Sequence, residues 1–102
     1  MIEINKIIQS PLFAKQKKRL HKNQIKDLDQ IKNLDRAVRD IAHDPEIGSM
    51  KIGDLSGVRV YKFKSMQSLI LLAYEIIENF LFLYTFGSHQ NFYRELKKYF
   101  NP

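Results

Sequence analysis

The chain contains no cysteine, which excludes disulfide frameworks, thiolate nucleophiles and cysteine-ligated metals and suits a reducing cytoplasm. Glycine is scarce as well: only four occur in 102 residues, and no glycine-rich phosphate loop follows a strand-like run. Neither a Ser-His-Asp spacing nor a pair of histidines set as metal ligands is present, so no cofactor or metal is expected. His21 and His43 lie in or beside helical segments and read as solvated helix residues. A membrane span is also missing. The longest apolar stretch, Leu69 to Phe86, carries Glu75, Glu78 and Asn79 at its middle, and a charge at a bilayer centre costs about 3 kcal/mol. The N-terminal MIEINKIIQS breaks its apolar residues with charges, unlike a secretory signal. No internal repeat, low-complexity segment or linker appears. A chain of this length supports one modest core, so residues 1–102 read as a single domain.

What is present is positive charge and a change of period. Seventeen Lys and Arg against eleven Asp and Glu leave a net charge of +6, which favours a polyanionic partner: nucleic acid, an anionic membrane or an acidic protein. Ile2 and Ile4 alternate with polar residues, the period of a short strand. Ser10-Pro11 then supplies an N-cap and a first helical residue. In the helix that follows, Leu12, Phe13, Gln16 and Leu20 share one face, with Lys15, Lys18, Arg19 and Lys22 opposite. After a weak break near His21-Lys22-Asn23, Ile25, Leu28, Ile31, Leu34 or Asp35, Val38 and Ile41 recur at steps of three and four. Asp44-Pro45 ends that second helix. A loop from Pro45 to Gly57 leads to alternating, β-branched and aromatic residues at Val58–Lys64. Leu69–Ile77 and Phe80–Phe86 then read as a hairpin about Glu78-Asn79. Asn91–Phe100 closes the chain as a helix, with Phe92, Leu96 and Tyr99 or Phe100 on one stripe. The order β-α-α-β-β-β-α is an α+β fold, a helical hairpin packed on a curved antiparallel sheet with a C-terminal helix.

Two local patterns sharpen this layout. Gly53-Asp54-Leu55-Ser56-Gly57-Val58-Arg59 leads into one strand, and Gly87-Ser88-His89, with Tyr93 four residues on, ends another. In these motifs and in its order of elements the chain resembles the RelE/ParE superfamily of toxins from bacterial type II toxin-antitoxin systems, with the YafQ-like branch as the nearest local pattern.

That resemblance implies a cytoplasmic toxin held inactive by an acidic antitoxin and acting, with the ribosome and mRNA, as an endoribonuclease. RNA carries its own nucleophile, the 2′-OH beside the scissile phosphate. Cleavage then needs a base, an acid for the 5′-oxygen and cations for the charge that builds on phosphate. His89 is the expected acid or base, since an ordinary histidine titrates near pH ~6.5. Lys62 and Arg59 are the expected phosphate ligands, Tyr93 stacks on or orients a base, and Lys51, Lys64 and Arg94 add phosphate contacts. A plainer reading stands beside each role: His89 as loop and cap, Arg59 and Lys62 as a solvated strand face, Tyr93 as core in place of Phe92. Arg59 and Lys62 also have opposite parity on a regular strand, so a bulge or edge is needed to bring both to one face. The sequence departs from the nuclease pattern at Leu71, where an arginine is common, and at Ser49, Met50 and Ser68-Leu69, which substitute poorly for acid/base residues. A reduced set of this kind suits the ParE-like branch, which inhibits DNA gyrase without cleaving RNA. A third possibility is a bare antitoxin- or nucleic-acid-binding module.

Overall fold

Ser10 begins the first helix as its place before Pro11 implies. Its Oγ accepts from the Phe13 N–H at 2.9 Å and donates to the Tyr84 carbonyl at 2.6 Å, so one side chain caps a helix and ties it to a distant strand. The computed structural model describes residues 3–22 and 27–100, apart from the side chains of residues 21, 22, 27, 28 and 91. Helix α1 spans Pro11–Lys22 and α2 spans Asp27–His43. The alternation at Ile2, the break at Asn23, and the Lys22, Ile25 and Leu28 side chains lie outside the described residues. On α2 the repeat holds from Ile31: Leu34, Ala37 and Ile41 are all buried. Asp44 N–H still donates to Asp40 O at 3.0 Å, and Pro45 prevents a further turn.

Strands β1 (Lys6–Gln9), β2 (Ser49–Met50), β3 (Arg59–Ser65), β4 (Ser68–Ile77) and β5 (Phe80–Ser88) form one sheet in the order β1-β5-β4-β3-β2, and α3 (His89–Phe100) follows directly. The first strand lies beyond the alternation at Ile2 and Ile4. It pairs parallel to β5, Lys6 opposite Phe80 through Gln9 opposite Leu83, so the expected antiparallel sheet is mixed at this edge. Register on β5 decides its place, because Ile4 instead packs against the core and Asn5 N–H donates to Asn79 O at 2.8 Å. Almost the whole chain separates β1 from β5, and only a long connection permits parallel pairing. The Pro45–Gly57 loop contains β2 and a 3₁₀ turn at Gly53–Leu55; a two-residue strand leaves no readable period. Both tight hairpins put their first turn residue, Met66 or Glu78, in the left-handed region.

The sheet is covered on both faces. Against one, α1 and α2 bury Phe13, Leu34, Ala37 and Ile41 on Leu72, Tyr74, Leu81 and Leu83. Against the other, α3 buries Phe92 and Leu96 on Val60, Leu71, Ala73 and Tyr84. A bulge lies between them. Ala73 pairs with Thr85 but Tyr74 pairs with Leu83, which leaves Tyr84 as the extra residue of β5. From there on, the parity of β5 is reversed. Gly87, opposite Leu71, falls on the α3 face, and the chain leaves the sheet toward that face. No helix among the described residues is long and apolar enough to cross a membrane.

Candidate functional site

The site depends on how β3 is entered. Gly53 and Gly57 have φ of +71° and +95°, which side-chain-bearing residues rarely adopt, and between them the chain turns through the 3₁₀ segment into β3. From Arg59 to Ser65 the pairing with β4 is regular, so side chains alternate strictly between faces. Arg59, Tyr61 and Phe63 point to the hairpin face; Val60, Lys62 and Lys64 point to the α3 face. The bulge that would unite Arg59 with Lys62 lies on β5, not on β3.

Arg59 is therefore separated from the other candidates. Its Nη1 donates to Gly48 O at 2.7 Å and to Glu46 O at 3.3 Å, binding the loop after α2 to the sheet. Tyr74 completes the same tie: its hydroxyl accepts from Gly48 N–H at 2.9 Å and donates to Pro45 O at 2.8 Å. Gly48 has no room for a side chain, since an added Cβ would lie 2.8 Å from the Tyr74 ring. Burial, first, holds the Tyr74 hydroxyl protonated above the ordinary tyrosine pKa. This lock was not visible in the sequence, because nothing local links Gly48 to a tyrosine 26 residues later.

On the α3 face His89, Tyr93 and Lys51 meet, and Lys62 lies in a row of residues that leads toward them. Lys62, Leu71 and Gly87 form one row across β3, β4 and β5. Two strand spacings of about 4.8 Å place the Lys62 backbone roughly 10 Å from Gly87, two residues before His89. Strand β5 runs through Ser88 and α3 starts at His89, two residues earlier than the pattern at Asn91 suggests. His89 and Tyr93 are thus one helical turn apart, their rings in edge contact at 5.7 Å. His89 is exposed, Tyr93 half-buried and Phe92 buried, so Phe92 is the core residue and Tyr93 flanks it. The Lys51 ammonium sits over the Tyr93 ring, 5.5 Å from its centre. Lys62, Lys64 and Arg94 are exposed. Lys97 and Lys98 join Arg94 and Tyr93 around an open basic hollow that no sequence motif marked; their helical spacing from Arg94 was the available signal. His43 is exposed, with Nδ1 2.8 Å from the Arg39 carbonyl, as expected of a solvated helix residue.

One polar pair lies deeper on this face. The Tyr84 hydroxyl donates to Glu75 Oε1 at 2.9 Å beneath Tyr99 and Phe100. Burial, then the Glu75 hydrogen bond and charge, pushes the Tyr84 hydroxyl far above the ordinary tyrosine range. Glu75, read from the sequence only as a bar to membrane insertion, is here the acceptor for the bulge residue.

The arrangement is a rim carrying an imidazole, a phenol and several exposed cations, with one tightly held arginine behind the sheet. No curated protein matches the chain. Among solved structures, a free-state arginine-to-alanine double mutant of E. coli toxin RelE aligns over 97% of this chain and 98% of its own, at TM-score 0.64 and 17% identity. A chain of the intact E. coli RelBE toxin-antitoxin complex aligns over 82% and 95%, at TM-score 0.58 and 17% identity. A conserved hypothetical protein from Helicobacter pylori aligns over 87% and 96%, at TM-score 0.53 and 22% identity. At these identities the likeness concerns the fold. The family model for the ParE-like toxin of type II bacterial toxin-antitoxin systems matches residues 7–97, nearly the full length of the described structure, and the chain belongs to that family.

Proposed function

We propose that this toxin is a ribosome-dependent mRNA endoribonuclease whose cleavage site is the α3-face rim. The observation that carries the reading is the grouping of His89, Tyr93 and Lys51 at the start of α3, in line with exposed Lys62 and Lys64 on the same face. In its neutral form His89 accepts the 2′-OH proton as O2′ attacks phosphorus. The P–O5′ bond breaks, and the 5′-oxygen leaves with a proton from water. The upstream product ends in a 2′,3′-cyclic phosphate. Lys62 and Lys64 stabilise the charge on the phosphoryl oxygens, Tyr93 offers a ring for an unstacked base, and Lys51 holds that ring while adding a cation. Arg94 contacts a flanking phosphate. Arg59 serves this site indirectly, by fixing the loop from which Lys51 extends.

With one imidazole supplying acid/base chemistry, its loss should be severe. His89→Ala is expected to slow cleavage of ribosome-bound mRNA by ~100- to 10,000-fold. An exposed position should leave folding stability within about 0.5 kcal/mol. Unchanged cleavage by a folded His89→Ala protein would remove the nuclease reading.

Inhibition of DNA gyrase is the second reading. It is favoured by Leu71, fully buried where the resembling nucleases commonly carry an arginine, and by the ParE-like family model. Pulse labelling after induction separates the two: an early stop in protein synthesis supports the nuclease, and an early stop in DNA synthesis supports gyrase.

The partner proposed under either reading is a cognate antitoxin that lays an acidic, partly disordered segment on the basic surface, including Lys18 of α1. The RelBE complex among the similar structures supports this. Antitoxin affinity that does not fall with added salt would count against the electrostatic part.

A further inference from the structure

Helix α1 does not present its cations as one undivided face. Lys15, Gln16 and Arg19 follow at steps of one, three and four along a single stripe, and this stripe faces α3 across the free edge of β5. Between the two helices lies a cleft of about 480 Å³, floored by Gly87 and Ser88 and bounded on the α3 side by Glu95. Its volume falls within the range of roughly 300–1,000 Å³ typical of ligand sites. Lys18 is not among its lining residues.

We infer that this cleft binds a second phosphodiester of single-stranded RNA, on the far side of His89 from Lys62. The inference rests on the nuclease reading of the rim. Three observations carry it. First, among the described residues neither Lys15 nor Arg19 is paired with a carboxylate; the α1 ion pair is Lys17 with Asp35 at 3.2 Å, on another side of the helix. Two cations against the one carboxylate of Glu95 leave the cleft net positive. Secondly, the cleft is continuous with the rim, since Ser88 lines it and His89 follows in sequence. A strand with one phosphate beside Lys62 and His89 therefore has its neighbouring backbone directed into the cleft. Thirdly, the backbone of β5 is open at Gly87, where a built Cβ meets no atom within 4 Å and the strand would cross.

Gln16 helps fix the cleft wall. Its Oε1 accepts from Thr85 Oγ1 at 3.0 Å and from Phe86 N–H at 3.2 Å, which satisfies the edge of β5 and locks the register of α1 against it. Lys15 and Arg19, one residue before and three after this anchor, are held over the cleft while their charged ends remain free to meet a phosphate.

The test measures binding of the full-length toxin to a short, fluorescein-labelled single-stranded RNA made uncleavable by 2′-O-methylation, across a range of salt concentrations. Joint Lys15→Ala and Arg19→Ala substitution should weaken binding by roughly tenfold or more. It should also lower the salt slope by about 0.7, the share of one lost phosphate contact to a single strand. Glu95→Gln should tighten binding, a gain that misfolding cannot produce. Lys32→Ala, at an exposed position of α2, should leave it unchanged. If Lys62→Ala weakens binding but the Lys15/Arg19 pair and Glu95→Gln do nothing, the cleft inference is overturned while the nuclease reading stands. If the toxin binds this RNA at no salt concentration, the cleft inference is overturned, while the nuclease reading is decided separately by cleavage of ribosome-bound mRNA with His89→Ala. If the paired variant loses affinity for the antitoxin alone, the cleft belongs to a protein partner and the inference is wrong.

Discussion

The two faces of the sheet use similar strands and are finished differently. On one, a 12-residue and a 17-residue helix lie over the strands; on the other, a single 12-residue helix crosses at one end. Arg59 and Lys62, three residues apart on β3, take opposite fates because of that difference. The better-covered face draws Arg59 into the structure, where backbone carbonyls occupy its guanidinium. The less covered face leaves Lys62 and Lys64 exposed beside the start of α3. A cation's type and position in sequence do not therefore indicate whether it is held or exposed; here the two differ with the helical cover of their faces.

The largest expected effect breaks the comparison at its base. Phe13 is 1% exposed, with its ring edge-on to Phe86 at 5.0 Å. Phe13→Ala should cost about 3–5 kcal/mol, measured by denaturant unfolding, and should lower the stability of the whole fold. Phe92→Ala on the opposite face should act more locally. The α3 amides should lose hydrogen-exchange protection before those of α2, because one terminal helix can detach from a sheet that two others still cover. Equal loss in both helices would mean that the two faces form a single cooperative unit.

The next effect separates Arg59 from Lys62. Arg59→Ala leaves the Gly48 and Glu46 carbonyls without their donor and should cost about 1–2 kcal/mol, whereas Lys62→Ala should stay within about 0.5 kcal/mol. RNA binding should show the reverse order. A strong binding loss in a stably folded Arg59→Ala protein would restore Arg59 to the phosphate site.

The sequence made the helical pattern legible wherever residues repeat at helical spacing: Ile31, Leu34 and Ile41 form the buried stripe of α2, and Phe92 and Leu96 that of α3. Strands β3, β4 and β5 were likewise readable from composition and turns. The parallel partner of β1 was not, because register depends on Asn79 and β5 far along the chain. Nor was the bulge at Tyr84, since an extra residue changes no local preference; it shows only as reversed parity at Gly87. The parity conflict between Arg59 and Lys62 follows from the two-residue period of a strand alone. In the structure the two side chains lie on opposite faces of the sheet. The spacing of His89 and Tyr93 was visible in the sequence, and α3 explains their contact as one helical turn. The carbonyl partners of Arg59 were not legible, because an arginine held by carbonyls and one left for phosphate look alike in sequence.

A smaller effect concerns the tie between α1 and the sheet. Ser10→Ala removes both the cap on Phe13 N–H and the bond to Tyr84 O, and thermal unfolding should show a loss of about 1 kcal/mol. A neutral result would mean that water replaces both bonds, and that α1 is held by its apolar face alone.

The smallest effect at neutral pH emerges only in alkali and tests the deeper pair on the α3 face. Tyr84 is held protonated by burial and by Glu75, Tyr74 mainly by burial, and Tyr61 by burial and Asp40. In the unfolded chain all three should titrate near the ordinary tyrosine value of about 10. Above that pH the folded chain binds more protons than the unfolded one, so stability must fall as pH rises. The contribution of each tyrosine is intact below pH ~10 and is lost progressively as pH climbs toward its raised folded value. The melting temperature should therefore drop between about pH 10 and 12. Lysine deprotonation in the same range also changes stability, so the informative quantity is the difference between proteins. Tyr84→Phe removes the most strongly raised of the three groups and should make the alkaline drop shallower than in the unaltered chain, even though it leaves Glu75 without its donor and lowers stability at pH 7. An alkaline drop as steep in Tyr84→Phe as in the parent would show that Tyr84 ionises in the folded state, and that the cover α3 gives this face is looser than its packing against Tyr99 and Phe100 implies.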